Sequence, residues 1–153
     1  MLFAEEKRVE NGLFADVNGG SDSVRISLTE ANKVSIVVSL PAAAGATLDV
    51  KVQEHDAAAA GNTNDVVLSV PHYFMLDADT KMTKIEETGN AVVDFGGALD
   101  AVAGTAVIEI DCADLTDGFE YVSLNFADGG FARVVAVNYM IDTKRKPAYE
   151  VEL

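Results

Sequence analysis

The chain has 153 residues, of which 25 are acidic and 11 basic, and its formal net charge is −14. A chain of this length favours a single domain over residues 1–153, large enough to hold its own core. Its negative field repels phosphate backbones and anionic lipid surfaces, so we expect no direct nucleic-acid partner and no membrane partner.

No apolar run approaches the ~18 residues that a membrane-spanning helix needs. The opening segment, 1-MLFAEEKRVE-10, lacks the basic region and the apolar stretch of a signal peptide. Cys112 is the single cysteine, so the chain forms no internal disulfide. These features predict synthesis and folding in the cytoplasm.

Apolar residues recur with a period of two along most of the chain, which is the pattern of β-strands. Short segments rich in Gly, Pro, Asn and Asp separate these runs and favour tight turns. We predict strands at 23–28, 33–40, 47–53, 66–70, 82–87, 91–95, 106–111, 121–126 and 132–142. The pattern indicates an all-β fold: a β-sandwich or jelly roll of about eight or nine antiparallel strands. At most one short helix is expected, at 97–103 or at 112–118.

The longest apolar run, 132-ARVVAVNYMID-142, differs from the others because both of its faces are apolar. A strand of this kind lies in the centre of a sheet, or is covered by a second layer or by another subunit. One face carries Val135, Val137, Tyr139 and Ile141, and the other carries Val134, Ala136 and Met140.

The N-terminal residues lack clear alternation, and we expect a looser N-terminal segment over about 1–20. The C-terminal segment 143–153 contains the only basic cluster, which is followed by a short, alternating extended tail. One interpretation is a frayed, solvated terminus. The other is an arm that lies on a neighbouring subunit, since extended arms can add to an exposed sheet edge. The candidate contact residues are Lys144, Arg145, Lys146, Pro147 and Tyr149.

His55 lies between Glu54 and Asp56, which raises the question of a metal site or a general base. A zinc site needs three or four ligands, and a general base needs a nucleophile and an orienting partner nearby. The sequence supplies neither arrangement, and it predicts no catalytic residue and no cofactor. We expect His55 at the end of a strand, with Glu54 pointing inward if the alternation continues that far. We expect the neighbouring carboxylates to raise the pKa of the His55 imidazole.

Three other features receive ordinary structural interpretations. His72 follows a proline beside aromatics and is expected as a packed or surface histidine. Cys112 continues the inward phase of its strand and is expected to be buried and inert. The acidic segments 77–81 and 111–118 are candidates for a bound cation, but turn formation and capping by Asp explain them more simply.

Two segments resemble those of small auxiliary virion proteins from tailed bacteriophages, which coat or cement the capsid shell. The first, 50-VKVQEHDAAAAGNTNDV-66, is a strand ending in Gln and acidic residues, followed by a loop of small residues. The second begins at 107-VIEID and includes the YVSLN strand, the long Val/Ala strand and the tail with a basic cluster, Pro and Ala.

The resemblance implies a non-enzymatic jelly-roll or sandwich subunit, seated on the capsid surface of a virion as a homotrimer. Its partner would be the major capsid protein, and its role would be to hold neighbouring capsid subunits together. Two other classes remain open: a tail, head–tail or adhesin-like component, and a sandwich that binds a cation or carbohydrate. The absence of Trp and the low aromatic content argue against the carbohydrate binder.

Overall fold

The computed structural model describes residues 7–68, 71–85, 92–94, 97–128, 130 and 132–143. The strands in these ranges form two six-stranded sheets in which every pair of neighbours is antiparallel. They are β1 (Lys7–Asp16), β2 (Ser21–Asp22), β3 (Ile26–Ser27), β4 (Ala31–Leu40), β5 (Asp49–His55), β6 (Thr63–Asp65), β7 (His72–Leu76), β8 (Thr83–Ile85), β9 (Val92–Asp94), β10 (Gly104–Asp111), β11 (Tyr121–Phe126) and β12 (Val134–Thr143). The predicted all-β sandwich is confirmed, and its finer description as a jelly roll stays a prediction.

Sheet A has the strand order β1-β12-β4-β10-β7-β8. Two of its interior strands, the neighbours β12 and β4, have ten residues each and alternate between buried and partly exposed side chains. Sheet B has the order β2-β11-β5-β6, with β3 also paired to β11 and β9 also paired to β5. The inward side chains of both sheets form one hydrophobic core, because each strand presents one alternate set to the space between them.

Tyr139 on β12 fills the middle of this core and connects the two sheets. Its ring is fully buried, and its hydroxyl shares a 2.6 Å hydrogen bond with Ser23 Oγ. Ser23 Oγ in turn accepts a hydrogen bond from the backbone N of Leu124 on β11. Burial raises the pKa of the Tyr139 hydroxyl to about 12. A buried tyrosine needs such a partner, so this chain of bonds fixes how sheet A sits on sheet B.

The N-terminal strand is the main departure from the sequence prediction. Residues 7–16, expected to belong to a looser segment, form β1 and pair with β12 along its length. The register shifts between Asn11 and Leu13, which places Gly12 in a bulge. The carbonyl of Gly12 accepts a hydrogen bond from the N–H of Val24, so the bulge also contacts the segment between β2 and β3.

Other differences concern short elements. The sequence pattern does not predict β7. Of the predicted strand at 66–70, residues 66–68 follow the end of β6 at Asp65 and are not in a strand, and residues 69 and 70 lie outside the described residues. The predicted run 23–28 is divided into β2 and β3. In the part of the chain that the structure describes, the only helical element is a single 3₁₀ turn at Cys112–Asp114, where the short helix was expected. Among the described residues, no helix has the length and apolar character that crossing a bilayer requires.

Gly12 provides a direct test of the packing around Tyr139. A Cβ at position 12 would overlap the Tyr139 ring and lie 3.1 Å from Cγ1 of Val137. We expect Gly12→Ala to lower the free energy of unfolding by about 1–3 kcal/mol, because overpacking forces a buried ring to move. Urea unfolding measures this loss. Asn11→Ala, an exposed neighbour on the same strand, is the control, and equal midpoints for the two variants would contradict the prediction.

Candidate protein-binding face and the buried polar clusters

The predicted contact residues of the tail, Lys144, Arg145, Lys146, Pro147 and Tyr149, lie outside the described residues. Their role as a subunit or capsid contact stays a prediction. The last described residue before them is Thr143, the end of β12.

His55 is the last residue of β5, and the structure corrects its expected environment. It is 3% exposed, although its phase along the strand places it on the outer face of sheet B. Its Nδ1 lies 2.8 Å from Thr63 Oγ1 on β6, and its Nε2 lies 2.8 Å from Ser123 Oγ on β11. The imidazole therefore joins the two strands that flank β5.

The contact between His55 and Ser123 has the geometry of a base beside a hydroxyl nucleophile, which no motif in the sequence indicates. Ser123 is 2% exposed, however, so its hydroxyl has no open path to a substrate. The group on the other ring nitrogen is the Thr63 hydroxyl, where catalytic triads usually place a carboxylate. Both ring nitrogens are thus satisfied inside the fold, which favours a structural role for the cluster.

Two polar side chains, Asp56 and Arg25, hold the loop that follows His55. Asp56 accepts hydrogen bonds from the backbone N and the side-chain amide of Asn62, at 2.8 and 2.7 Å. Arg25 donates to the carbonyls of Ala57 and Ala60. Gly61 adopts a positive φ of 74°, and a Cβ there would overlap the Asp56 carboxylate. These contacts give the small-residue loop a specific conformation.

The pKa of His55 is lowered, opposite to the expected direction. Desolvation by burial is the largest cause, and the Arg25 guanidinium adds to it. Asp22, Asp56 and Glu54 act in the other direction but do not outweigh these effects. The flanking carboxylates are engaged elsewhere: Glu54 Oε2 accepts from the Thr116 N–H at 2.8 Å, and its Oε1 accepts from Asn64 at 3.1 Å.

The remaining residues singled out in the sequence lie where packing explains them. His72 is buried on β7. Cys112 is half-buried instead of fully buried, because β10 ends at Asp111 and the chain turns there. Asp111 caps that turn by accepting from the Ala113 N–H, and Asp79 accepts from the Leu76 N–H. Among the described residues, no group of three or more His, Cys, Asp or Glu could hold a metal ion.

Arg133 is a buried cation that the sequence analysis missed. It is 2% exposed, and it donates to the carbonyls of Pro41, Leu99 and Val102 at 2.7–2.9 Å. Burial lowers the pKa of its guanidinium, and Asp100 partly opposes this. The side chain holds together the loops that follow β4 and precede β10, at one end of the sandwich.

The outer face of sheet A is the strongest candidate for a functional surface. Among the outward side chains of β12, Met140 and Ala136 have apolar neighbours at Val9 and Phe14 on β1. Val37 on β4 lies beside Asn138, and Val107 on β10 lies beside Val37. Tyr73 and Met75 of β7 extend the same face. The second face of the 132–142 run therefore lies on the outside of the sandwich, and β1 and β7 enlarge it.

The exposure of this face is concentrated at its β1 side. Phe14 is 82% exposed and Val9 is 54% exposed, which is unusual for large apolar side chains. An open groove of about 430 Å³ lies beside Phe14, between β1 and β12. Asn11 and Asn138 lie between these two side chains, so the exposed apolar surface forms two patches. Large apolar side chains that are exposed in this way are typical of protein-binding surfaces. We define the outward side chains of β1, β12, β4, β10 and β7 as the apolar face.

Comparison with known proteins yields no family. No family model matches the chain, and no curated protein matches it. The fold is similar to the crystal structure of the SPBc2 prophage-derived protein YomS, with 10% sequence identity and a TM-score of 0.49. The similarity covers 89% of this chain and 92% of that one. At this identity and TM-score, the likeness does not bear on what the chain does.

The lowered pKa of His55 predicts a specific dependence of stability on pH. In the unfolded chain His55 takes up its proton near pH 6.5, and in the folded chain only at lower pH. As pH falls through about 6.5, the unfolded state therefore binds more protons, and stability is lost until the folded pKa is passed. The urea midpoint of the wild type should exceed that of His55→Gln by a smaller amount at pH 5.0 than at pH 7.5. An identical pH dependence in both proteins would contradict this.

Proposed function

We propose that the chain is a non-enzymatic structural protein of a bacteriophage virion, which binds the capsid surface and stabilises the shell. The observation that carries the proposal is the apolar face of sheet A, where Phe14 and Val9 stand exposed among half-buried apolar neighbours. A surface of this kind is stabilised when another protein covers it. The resemblance to capsid-coating proteins supplies the virion context.

In the described part of the chain, buried polar side chains form hydrogen bonds within the fold, which agrees with a role in assembly. The imidazole of His55 is committed to Thr63 and Ser123, and the carboxylate of Glu54 to Asn64 and Thr116. These groups hold the strands and loops together inside the fold. A cement protein needs such rigidity, because its effect on a shell comes from many copies that each bind the assembled state and not the separated subunits.

The C-terminal arm is the proposed capsid contact. The basic cluster Lys144, Arg145 and Lys146 follows β12 directly, in a chain whose other charges are mostly acidic. Pro147 and Tyr149 add a rigid and an aromatic contact next to it. A basic arm of this kind complements an acidic site on the major capsid protein, and charge complementarity speeds encounter and fixes orientation.

The test is attachment to capsids of particles that lack the chain, measured by co-sedimentation and by image reconstruction. We expect density on the outer capsid surface and shells that resist heat to a higher temperature than bare ones. Removing residues 144–153 should weaken attachment at least about tenfold, since it removes the charged contact. Replacing Lys144, Arg145 and Lys146 by Gln removes the charge of the arm but keeps its length. This variant therefore separates the contribution of the charge to attachment from that of the length. Density in the tail, or no attachment by the full chain, would overturn the proposal.

A further inference from the structure

We propose that the apolar face of sheet A packs against the same face of a second copy of this chain, across a two-fold axis parallel to the strands. The axis would run between β4 and β12. This inference rests on the proposed function of the face as a protein-binding surface and names the protein that covers it. Its arguments are an alternating row of charges and the size of the face.

The row of charges crosses four adjacent strands at one end of the apolar face. The strand register pairs Lys7 with Asp142, Asp142 with Lys33, and Lys33 with Asp111. The four side chains therefore stand side by side on β1, β12, β4 and β10 with alternating sign. Within one copy, Lys7 Nζ already contacts Asp142 Oδ2 at 3.1 Å.

When a second copy of this row is rotated by 180° and placed over the first, every charge faces a charge of opposite sign. A two-fold axis between β4 and β12 places β12 over β4 of the second copy, and β1 over β10. Lys33 then faces Asp142 of the second copy, and Lys7 faces its Asp111. The symmetry repeats each pair, so all four charges meet an opposite charge, as an isologous interface requires.

The charges also select this axis over the alternative. A two-fold axis perpendicular to the strands would place each strand over itself in reverse. The Lys33 end of β4 would then lie over its Leu40 end, and β4 contains no carboxylate. Packing with nearly parallel strands is also the usual arrangement when two sheets stack face to face.

The size of the apolar face fits a contact between two copies. The four strands that this axis brings into contact, β1, β12, β4 and β10, have eight to ten residues each. At about 3.4 Å per residue and about 4.8 Å between strands, they cover about 600 Å². A standard stable interface takes about 800 Å² from each partner. The face is thus close to the size that a specific dimer needs.

The decisive experiment is complementation between two single charge reversals, followed by sedimentation equilibrium of the full chain. In a dimer of Lys33→Glu, the introduced carboxylate would face Asp142 twice, and in a dimer of Asp142→Lys, the introduced ammonium would face Lys33 twice. Each variant alone should dissociate at least about tenfold more readily than the wild type, because like charges meet. A mixture of the two variants should recover the dimer, because the introduced carboxylate of one copy meets the introduced ammonium of the other.

Recovery in the mixture cannot come from pairing within one chain, so it separates association from folding. Lys51→Glu, which breaks an exposed ion pair with Asp65 on sheet B, is the matched control and should dimerise like the wild type. Phe14→Ser, at a site 82% exposed, tests the same face without a charge change and should also weaken the dimer. A wild-type monomer, a trimer unaffected by these changes, or no recovery in the mixture would each overturn the inference.

The outcome is independent of the capsid experiment. A chain that dimerises as described but does not attach to capsids would leave this inference standing and remove the proposed function. A chain that attaches to capsids as a monomer, and loses attachment in Phe14→Ser, would assign the apolar face to the capsid protein and refute the dimer.

Discussion

The hydrogen-bonded chain from Tyr139 through Ser23 to Leu124 is the constraint on which the sandwich depends. The Tyr139 ring occupies the middle of the core, and a hydroxyl buried there must find a partner. Ser23, between β2 and β3, supplies that partner, so the path of this segment across the end of the sheets is fixed. The ring in turn requires a residue without a side chain on β1, and Gly12 provides the space. The bulge at Gly12 then turns Phe14 toward the outer face of sheet A.

Most of the fold could be predicted from alternation, because the longer runs are half-buried strands with a clean period of two. β1 was missed because its side chains are mostly exposed and the bulge at Gly12 reverses the phase midway. β7 was missed because HYFML has no clear polar alternation to mark an outer face. β1 lies at the edge of sheet A and β7 lies next to an edge, and each is stabilised by pairing with an interior strand, β12 or β10. This stabilisation comes from tertiary contacts and is not encoded in the local sequence.

The sites were harder to predict than the strands, because they depend on contacts between distant residues. His55 was expected at the end of a strand, but it is buried, and Thr63 on β6 and Ser123 on β11 contact its two ring nitrogens. Arg133 looked like one more charge before a strand, and its carbonyl partners come from distant parts of the chain. The sequence showed two site signals, the basic C-terminal cluster and the second apolar side of the 132–142 run. The second of these indicated a covered surface but did not show how far β1 and β7 extend it.

The strongly acidic composition limits what can cover the apolar face. At physiological ionic strength, charges on exposed surfaces act over about 8 Å, so a partner feels the local balance of the face more than the total charge. At one end of the apolar face, two lysines alternate with two carboxylates in the row from Lys7 to Asp111. A uniformly acidic or uniformly basic partner would meet a like charge at every second position of this row. A partner with the same alternation, reversed in order, meets none, and a second copy of the chain has that property by symmetry.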